Sequence, residues 1–138
     1  MITVRKQEVV KLEDVLHLYQ AVGWTNYTNQ PLMLEKALSH SLVIYLALDG
    51  DAVVGLIRLV GDGFSSVFVQ DLIVLPSYQR QGIGSALMKE VLGDYKDVYQ
   101  VQLVTEQTEK NLGFYRSLGF ETLSTYDCTG MIWVNRKK

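Results

Sequence analysis

The stretch Asp71-Leu72-Ile73-Val74-Leu75-Pro76-Ser77-Tyr78-Gln79-Arg80-Gln81-Gly82-Ile83-Gly84-Ser85 is where residue types and spacing point most clearly to chemistry. An apolar run that reads as a buried strand ends at Pro76 and gives way to a polar loop with two glycines. Beyond the glycines, Ile83, Ala86, Leu87, Val91 and Leu92 trace one face of a helix. The first turn of a helix carries backbone N–H groups without intrahelical acceptors, and the macrodipole adds partial positive charge there. Gly82 and Gly84 have no side chain to hold an oxyanion away from the backbone, and Arg80 adds a full charge beside them. A phosphate or pyrophosphate at the start of this helix is the expectation; the plainer alternative is that the glycines only shape the turn. A P-loop is excluded because no lysine follows the glycines. The dinucleotide fingerprint is excluded because Leu87 stands where its third glycine belongs.

The rest of the chain must position this loop. Ile2 to Arg5 reads as a short first strand, and Leu12, Val15, Leu16, Tyr19 and Val22 recur at helical spacing up to Gly23. Pro31 opens a second helix striped by Leu34, Ala37 and Leu38. Leu42 to Leu48, Ala52 to Val60 and Ser66 to Val74 are strands joined by the tight turns Asp49-Gly50-Asp51 and Gly61-Asp62-Gly63, an antiparallel meander. After the glycine-loop helix come a strand at Val101 to Thr105 and a short helix at Lys110 to Leu118, closed by Gly119. Glu121 to Tyr126 and Met131 to Val134 read as a closing hairpin turned near Gly130. The fold class expected is α/β of the α+β type: one central mixed, mostly antiparallel sheet of six to seven strands flanked by about four helices, a single domain over residues 1–138.

Gln79-x-x-Gly82-x-Gly84, after a strand and before a helix, resembles the acetyl-CoA signature of the GNAT superfamily of N-acetyltransferases. Gly113-Phe114-Tyr115-Arg116-Ser117-Leu118-Gly119-Phe120 resembles that superfamily's Phe-Tyr-x-x-x-Gly-Phe segment. The order of elements is similar over essentially the whole chain. Gly23-Trp24, the Arg58 to Gly63 turn, Asp71 and the Gly130 to Trp133 ending resemble small bacterial members related to plastid arylalkylamine and lysine N-acetyltransferases. The resemblance implies acetyl-CoA as cosubstrate, with Gln79, Arg80, Gln81, Gly82, Ile83, Gly84 and Ser85 around its pyrophosphate. It implies that backbone groups of Ile73 and Val74 pair with pantetheine, and that Phe114 and Tyr115 lie by the thioester. Tyr115 would be the general acid to the departing thiolate, which needs a proton as the tetrahedral intermediate collapses; read alone, without the cofactor motif, Tyr115 is sooner a core aromatic. Many members carry an asparagine seven residues before this tyrosine; here that position is Thr108, and Asn111 lies four before it.

The acceptor implied is an amine, on a small molecule or on a peptide or protein. An alkylammonium of pKa ~10.4 is neutral in only about one molecule in 2,500 at pH 7, so its proton must be collected. Asp71, an acid within an apolar strand, is the candidate base, its alternative being a structural carboxylate paired with Arg58. Glu106 stands in reserve, and His17 and His40 read as helix-face residues. Trp24, Tyr27, Tyr126 and Trp133 are the aromatics that would line an acceptor pocket or else belong to the core. The second reading of the whole chain is a CoA-binding sensor or interaction module without turnover.

Composition narrows the classes. With 48% hydrophobic and 20% charged residues among 138, the chain has enough apolar side chains for one core and lacks the signature of disorder. Thirteen basic residues against 15 acidic give a net charge of −2, no footprint for nucleic acid. A lone Cys128 allows neither an intrachain disulfide nor a cysteine-based zinc site, and no metal is expected. Without an apolar run of membrane or signal length, the expectation is a soluble cytoplasmic domain with no membrane partner and a possible homodimer through the closing hairpin.

Overall fold

The computed structural model describes residues 1–135. Its chain divides into two compact units, Met1–Leu103 and a second beginning at Val104.

The first unit is built on one five-stranded sheet in the order β1-β2-β3-β4-β5, with β1 Ile2–Gln7, β2 Val43–Asp49, β3 Ala52–Gly61, β4 Ser66–Val74 and β5 Gln100–Leu103. Neighbours run antiparallel except β4 and β5, which are parallel, as a crossover through a helix requires. Between β1 and β2 come α1 (Leu12–Ala21), the single turn α2 (Thr25–Thr28) and α3 (Pro31–Ser39), with Pro31 at the helix start where a missing N–H costs nothing. α4 (Ile83–Asp94) makes the crossover from β4 to β5.

Two cores follow from the two faces of the sheet. Val15, Leu18 and Tyr19 of α1, Tyr27 of α2, and Leu34 and Leu38 of α3 pack with Ile44, Leu46, Leu56 and Ile73. α4 turns Ile83, Leu87, Met88 and Val91 inward toward the other face, and Tyr45 Oη donates 2.6 Å to Asp94 Oδ2 near the helix end. Gly55 lies under α4, where a Cβ would stand 3.1 Å from the Ile73 carbonyl and 3.4 Å from Leu87 Cδ1.

β4 changes faces midway. Arg58 pairs with Asp71 but Leu59 pairs with Val69, so Gln70 is an extra residue opposite no partner, a β-bulge. Side chains opposite each other share a face, so Val67 and Val69 go to the α4 side with Leu59, while Asp71 and Ile73 go to the helical layer of α1 to α3 with Arg58 and Leu56.

The second unit holds α5 (Glu109–Ser117) and a 3₁₀ turn at Leu123–Tyr126. The closing hairpin is a correction: residues 121–126 are not a strand, and residues 127–135 hold no regular element. Thr125 and Asp127 N–H groups bond back to the carbonyls of Thr122 and Ser124, Asp127 takes the left-handed conformation (φ 56°), and Cys128 N–H returns to the Leu123 carbonyl at 3.0 Å. These local bonds use the groups that a strand ladder would need. Among the described residues the sheet accordingly has five strands rather than six to seven, and there are five helices, the extra one being the single turn α2.

Candidate active site

β4 and the loop after it form the first part of the site. β5 pairs only with Ser66 to Val69, so from Gln70 onward β4 has no strand on that side among the described residues. Leu75 N–H donates to the Val54 carbonyl at 2.9 Å, which fixes the alternation along the strand. By that alternation Ile73 turns its backbone N–H and C=O to β3, whereas Leu72 and Val74 present theirs to the open edge. Of the two strand residues expected to pair with pantetheine, Val74 presents its backbone to the open edge and Ile73 to β3; Leu72, which the sequence did not single out, shares the direction of Val74.

Gln79 and Val74 are brought together directly: the Gln79 amide donates 3.1 Å to the Val74 carbonyl and folds the loop back on the strand. A 3₁₀ turn at Pro76–Tyr78 leads away from β4, and Tyr78 Oη holds it to Asp49 at 2.7 Å. Two left-handed residues then set up the helix, Arg80 at φ 65° and Gly82, the N-cap of α4, at φ 80°. The first bond inside α4 runs from Ala86 N–H to the Gly82 carbonyl. The amides of Ile83, Gly84 and Ser85 therefore end the helix without intrahelical acceptors, no side chain caps them, and no acidic residue stands in the first turn. A Cβ on Gly82 would meet nothing within 4 Å, so the space in front of the turn is open. Alternating handedness with converging N–H groups is the geometry of an anion nest. Ile83 contributes its backbone alone, since its side chain is buried in the core.

Asp71 lies on the other face of the sheet. Its carboxylate is 2% exposed and accepts from Arg58 Nε at 2.7 Å and Tyr19 Oη at 2.8 Å on one oxygen, and from Tyr27 Oη at 2.9 Å on the other. Arg58 also reaches Tyr27 Oη (3.2 Å) and Ser41 Oγ (3.2 Å). Burial first, and the Asp71 charge second, push the Tyr19 and Tyr27 hydroxyls above their usual pKa of 10.0, so both stay protonated donors. Desolvation works against the Arg58 charge, yet the Asp71 carboxylate holds its pKa above the usual value. Trp24 packs near both tyrosines, its ring centre 6.1 Å from Tyr19 and 6.3 Å from Tyr27. The signal in sequence was Tyr19 itself: a tyrosine in a buried helix stripe needs a partner for its hydroxyl.

Tyr115 belongs to the second unit. Its ring stands edge-on to Phe114 (4.9 Å) and Phe120 (5.9 Å), and burial raises its pKa above 10.0, partly offset by Thr105. The neutral phenol is therefore its state across neutral and mildly alkaline pH. Thr108 is the N-cap of α5, its Oγ1 accepting the Asn111 N–H at 3.1 Å, and Asn111 ties back through its amide to Thr105 Oγ1, also at 3.1 Å. Both thus have local structural duties. Glu106 is exposed, His17 Nε2 lies 2.8 Å from the Val53 carbonyl, and His40 Nδ1 bonds near the end of α3. Among the described residues, Tyr126 and Trp133 are exposed, and no group of three metal-ligating side chains is assembled.

The model of the acetyltransferase (GNAT) domain matches residues 40–122. A solved GNAT-family acetyltransferase of Streptococcus pneumoniae is 84% identical with a TM-score of 0.91, over 99% of both chains. The chloroplastic GCN5-related N-acetyltransferase 1 of Arabidopsis thaliana is 29% identical over 97% of this chain and 68% of its own. The chloroplastic serotonin N-acetyltransferase 2 of Oryza sativa subsp. japonica is 37% identical over 63% of this chain, which spans about half (46%) of that protein. The fold alone is shared with an N-acetyltransferase of Thermoplasma acidophilum solved in complex with coenzyme A, at 16% identity, a TM-score of 0.69 and coverage of 86% and 90%.

The chain belongs to the GNAT acetyltransferase family. It is an acyltransferase, and the names of its relatives place it among the N-acetyltransferases. No helix among the described residues is long and apolar enough to cross a membrane.

Proposed function

We propose that this chain transfers the acetyl group of acetyl-CoA to a primary amine by direct attack in a ternary complex, using both units as one GNAT domain. The family match over 40–122 runs through the unit boundary at 103/104, which supports the single-domain reading. The observation that carries the proposal is the turn before α4, where Arg80 and Gly82 aim three unacceptored amides into open space at the end of a strand with a bare edge.

The pyrophosphate lies over the amides of Gln81 to Ser85 with Arg80 beside it, and the helix dipole favours its charge. The pantetheine amides add to β4 as a short strand, through Leu72 and Val74 rather than Ile73. The neutral amine attacks the thioester carbonyl carbon, forming the C–N bond; the intermediate collapses with cleavage of the C–S bond. Tyr115 gives its proton to the leaving thiolate, and Phe114 packs against its ring.

Asp71 is assigned a positioning role. A base needs a lone pair within reach of the proton it takes, and this carboxylate is sealed by three donors. The ammonium proton leaves to solvent, with Glu106 as the exposed carboxylate that would assist. Arylalkylamines head the acceptor screen because one relative carries the name serotonin N-acetyltransferase; peptide and protein amines follow.

Calorimetric titration with acetyl-CoA, desulfo-CoA and NAD tests the donor site. Micromolar binding of the CoA compounds but not NAD, followed by amine-dependent thiol release, is expected. Failure of any CoA compound to bind overturns the reading; binding without turnover across the amine screen leaves a CoA-binding module instead.

A further inference from the structure

Between the end of β4 and the first bond of α4, the chain is held by its flanks alone. On the strand side Leu75 N–H donates to the Val54 carbonyl at 2.9 Å, Tyr78 N–H to Leu75 at 2.8 Å and Gln79 N–H to Pro76 at 3.3 Å. The next backbone bond is that of Ala86 N–H to Gly82 at 3.0 Å, so the N–H groups of Arg80, Gln81 and Gly82 donate to no backbone carbonyl among the described residues. Yet Arg80, a residue with a Cβ, holds φ at 65°. Such a conformation persists only where the surroundings over-determine it.

Two side chains supply that determination. Gln79 folds back on the Val74 carbonyl. Tyr78 reaches the other way, its Oη donating 2.7 Å to Asp49 Oδ2, 29 residues earlier in the chain. Asp49 is the last residue of β2, in register with Ile2 of β1 and Ala52 of β3, so its backbone is fixed on both sides. The Tyr78 hydroxyl, ahead of the Met1 ammonium 3.5 Å from Oδ1, holds this carboxyl below its usual range. The acceptor is therefore charged at neutral pH, and the bond belongs to the stronger, charge-assisted class.

We propose that Tyr78 and Asp49 form a clasp that positions the cofactor loop, the sheet corner at Asp49 holding through one phenol the turn whose amides receive the pyrophosphate. The clasp rests on the acetyl-CoA reading above. Both residues act through the backbone of Arg80 to Gly82 and are positioning residues. With the clasp open, the loop samples other conformations, and apparent affinity falls with the fraction still in the competent one. Bound acetyl-CoA restores that conformation, so the loss falls on binding and not on the chemical step.

Calorimetry with CoA and steady-state kinetics on the full chain test the clasp. Tyr78→Phe removes one hydroxyl and keeps the ring. It should raise the CoA dissociation constant and the KM for acetyl-CoA about ten-fold, the result of a competent fraction near a tenth, with kcat at saturation changed far less. Asp49→Ala should do the same, and the double variant no more than either alone, because the two residues act through one bond. Asp49→Asn keeps an acceptor oxygen and should recover most of the affinity. Circular dichroism melts show that the variants fold. CoA binding by Tyr78→Phe within about two-fold of the unaltered chain overturns the clasp and leaves the acetyl-CoA reading standing. Losses that multiply in the double variant also overturn it. An unaltered chain that binds no CoA overturns the acetyl-CoA reading and the clasp with it.

Discussion

Arg58 and Asp71 face each other across β3 and β4, and their side chains close a 2.7 Å ion pair beneath α1 and α2. The pair links a strand whose far half has a bare edge to the helical turn that carries Tyr27. Such a buried pair is a weak source of net stability, but breaking it leaves a charge stranded in the core. Asp71→Ala is expected to lower unfolding stability by about 3–5 kcal/mol in urea denaturation. Replacing both partners with apolar residues, Arg58→Met with Asp71→Leu, should recover most of that loss. Equal destabilisation by the single and the double change would refute this account of the pair.

The proton-collection scheme predicts whose pKa governs the acidic limb of the rate profile. With solvent as the acceptor, kcat/KM should climb with pH toward the pKa of the amine substrate, about 10.4 for an alkylamine. The limb should move when a less basic amine is used, and Asp71→Asn should lower its height without displacing it. A limb fixed for all amines and abolished by Asp71→Asn would restore Asp71 as the base.

Tyr115→Phe should keep acetyl-CoA affinity within a few-fold and cut kcat by roughly 10²–10⁴, the range for a positioned acid. Because burial raises the phenol's pKa, the wild-type acid form is retained through pH 10.0 and lost only above it. The variant should therefore also lose the alkaline fall in rate. Stopped-flow thiol release across pH reads both effects.

Gly82→Val tests the anion nest. The left-handed conformation at φ 80° costs an L-residue roughly 1–2 kcal/mol. Its side chain would also enter the open space before the amides. Calorimetry should show acetyl-CoA binding weakened by at least an order of magnitude while the melt shifts by only a few degrees.

Asp62 sets part of the acid limit of the fold. Its Oδ1 accepts the N–H groups of Phe64 (2.8 Å), Ser65 (2.8 Å) and Ser66 (3.1 Å), and the Ser65 hydroxyl bonds Oδ2 at 2.6 Å. The Ser65 hydroxyl first, then these amides, hold its pKa well below the ordinary 3.8. A depressed carboxylate stabilises the fold above its unfolded-state pKa, and the contribution disappears as pH falls through the folded value. Stability should thus decline as pH drops below 3.8, and Asp62→Asn should flatten that decline in acid titrations followed by circular dichroism.

Much of this was legible in the residues because the cues are local. Ser66–Val74 and the start of α4 at Ile83 stand where turn residues and helical spacing put them. The position of Gln79, Arg80 and Gly82 between that strand and helix followed for the same reason. The bulge at Gln70 was not legible: Val67, Val69, Asp71 and Ile73 alternate as in a regular strand, and the register that splits them is set by β3. Tyr19 and Tyr27 meet Asp71 across 52 and 44 residues, contacts made only by docking the helices on the sheet. The final run misled because Met131 to Val134 has strand composition, whereas a strand also needs a neighbour.

Gln70 also makes β4 the seam of the sheet. The strand's leading half is a wall of the α4 compartment and its trailing half a wall of the α1–α3 compartment, so one inserted residue stitches two interiors together. Were Gln70 drawn into the ladder opposite Arg58, the facing of the trailing half-strand would invert. Asp71 would be turned away from Arg58, and the open-edge amides of Leu72 and Val74 would exchange places with those of Ile73. The frame in which this strand is read is thus itself a component of the machinery.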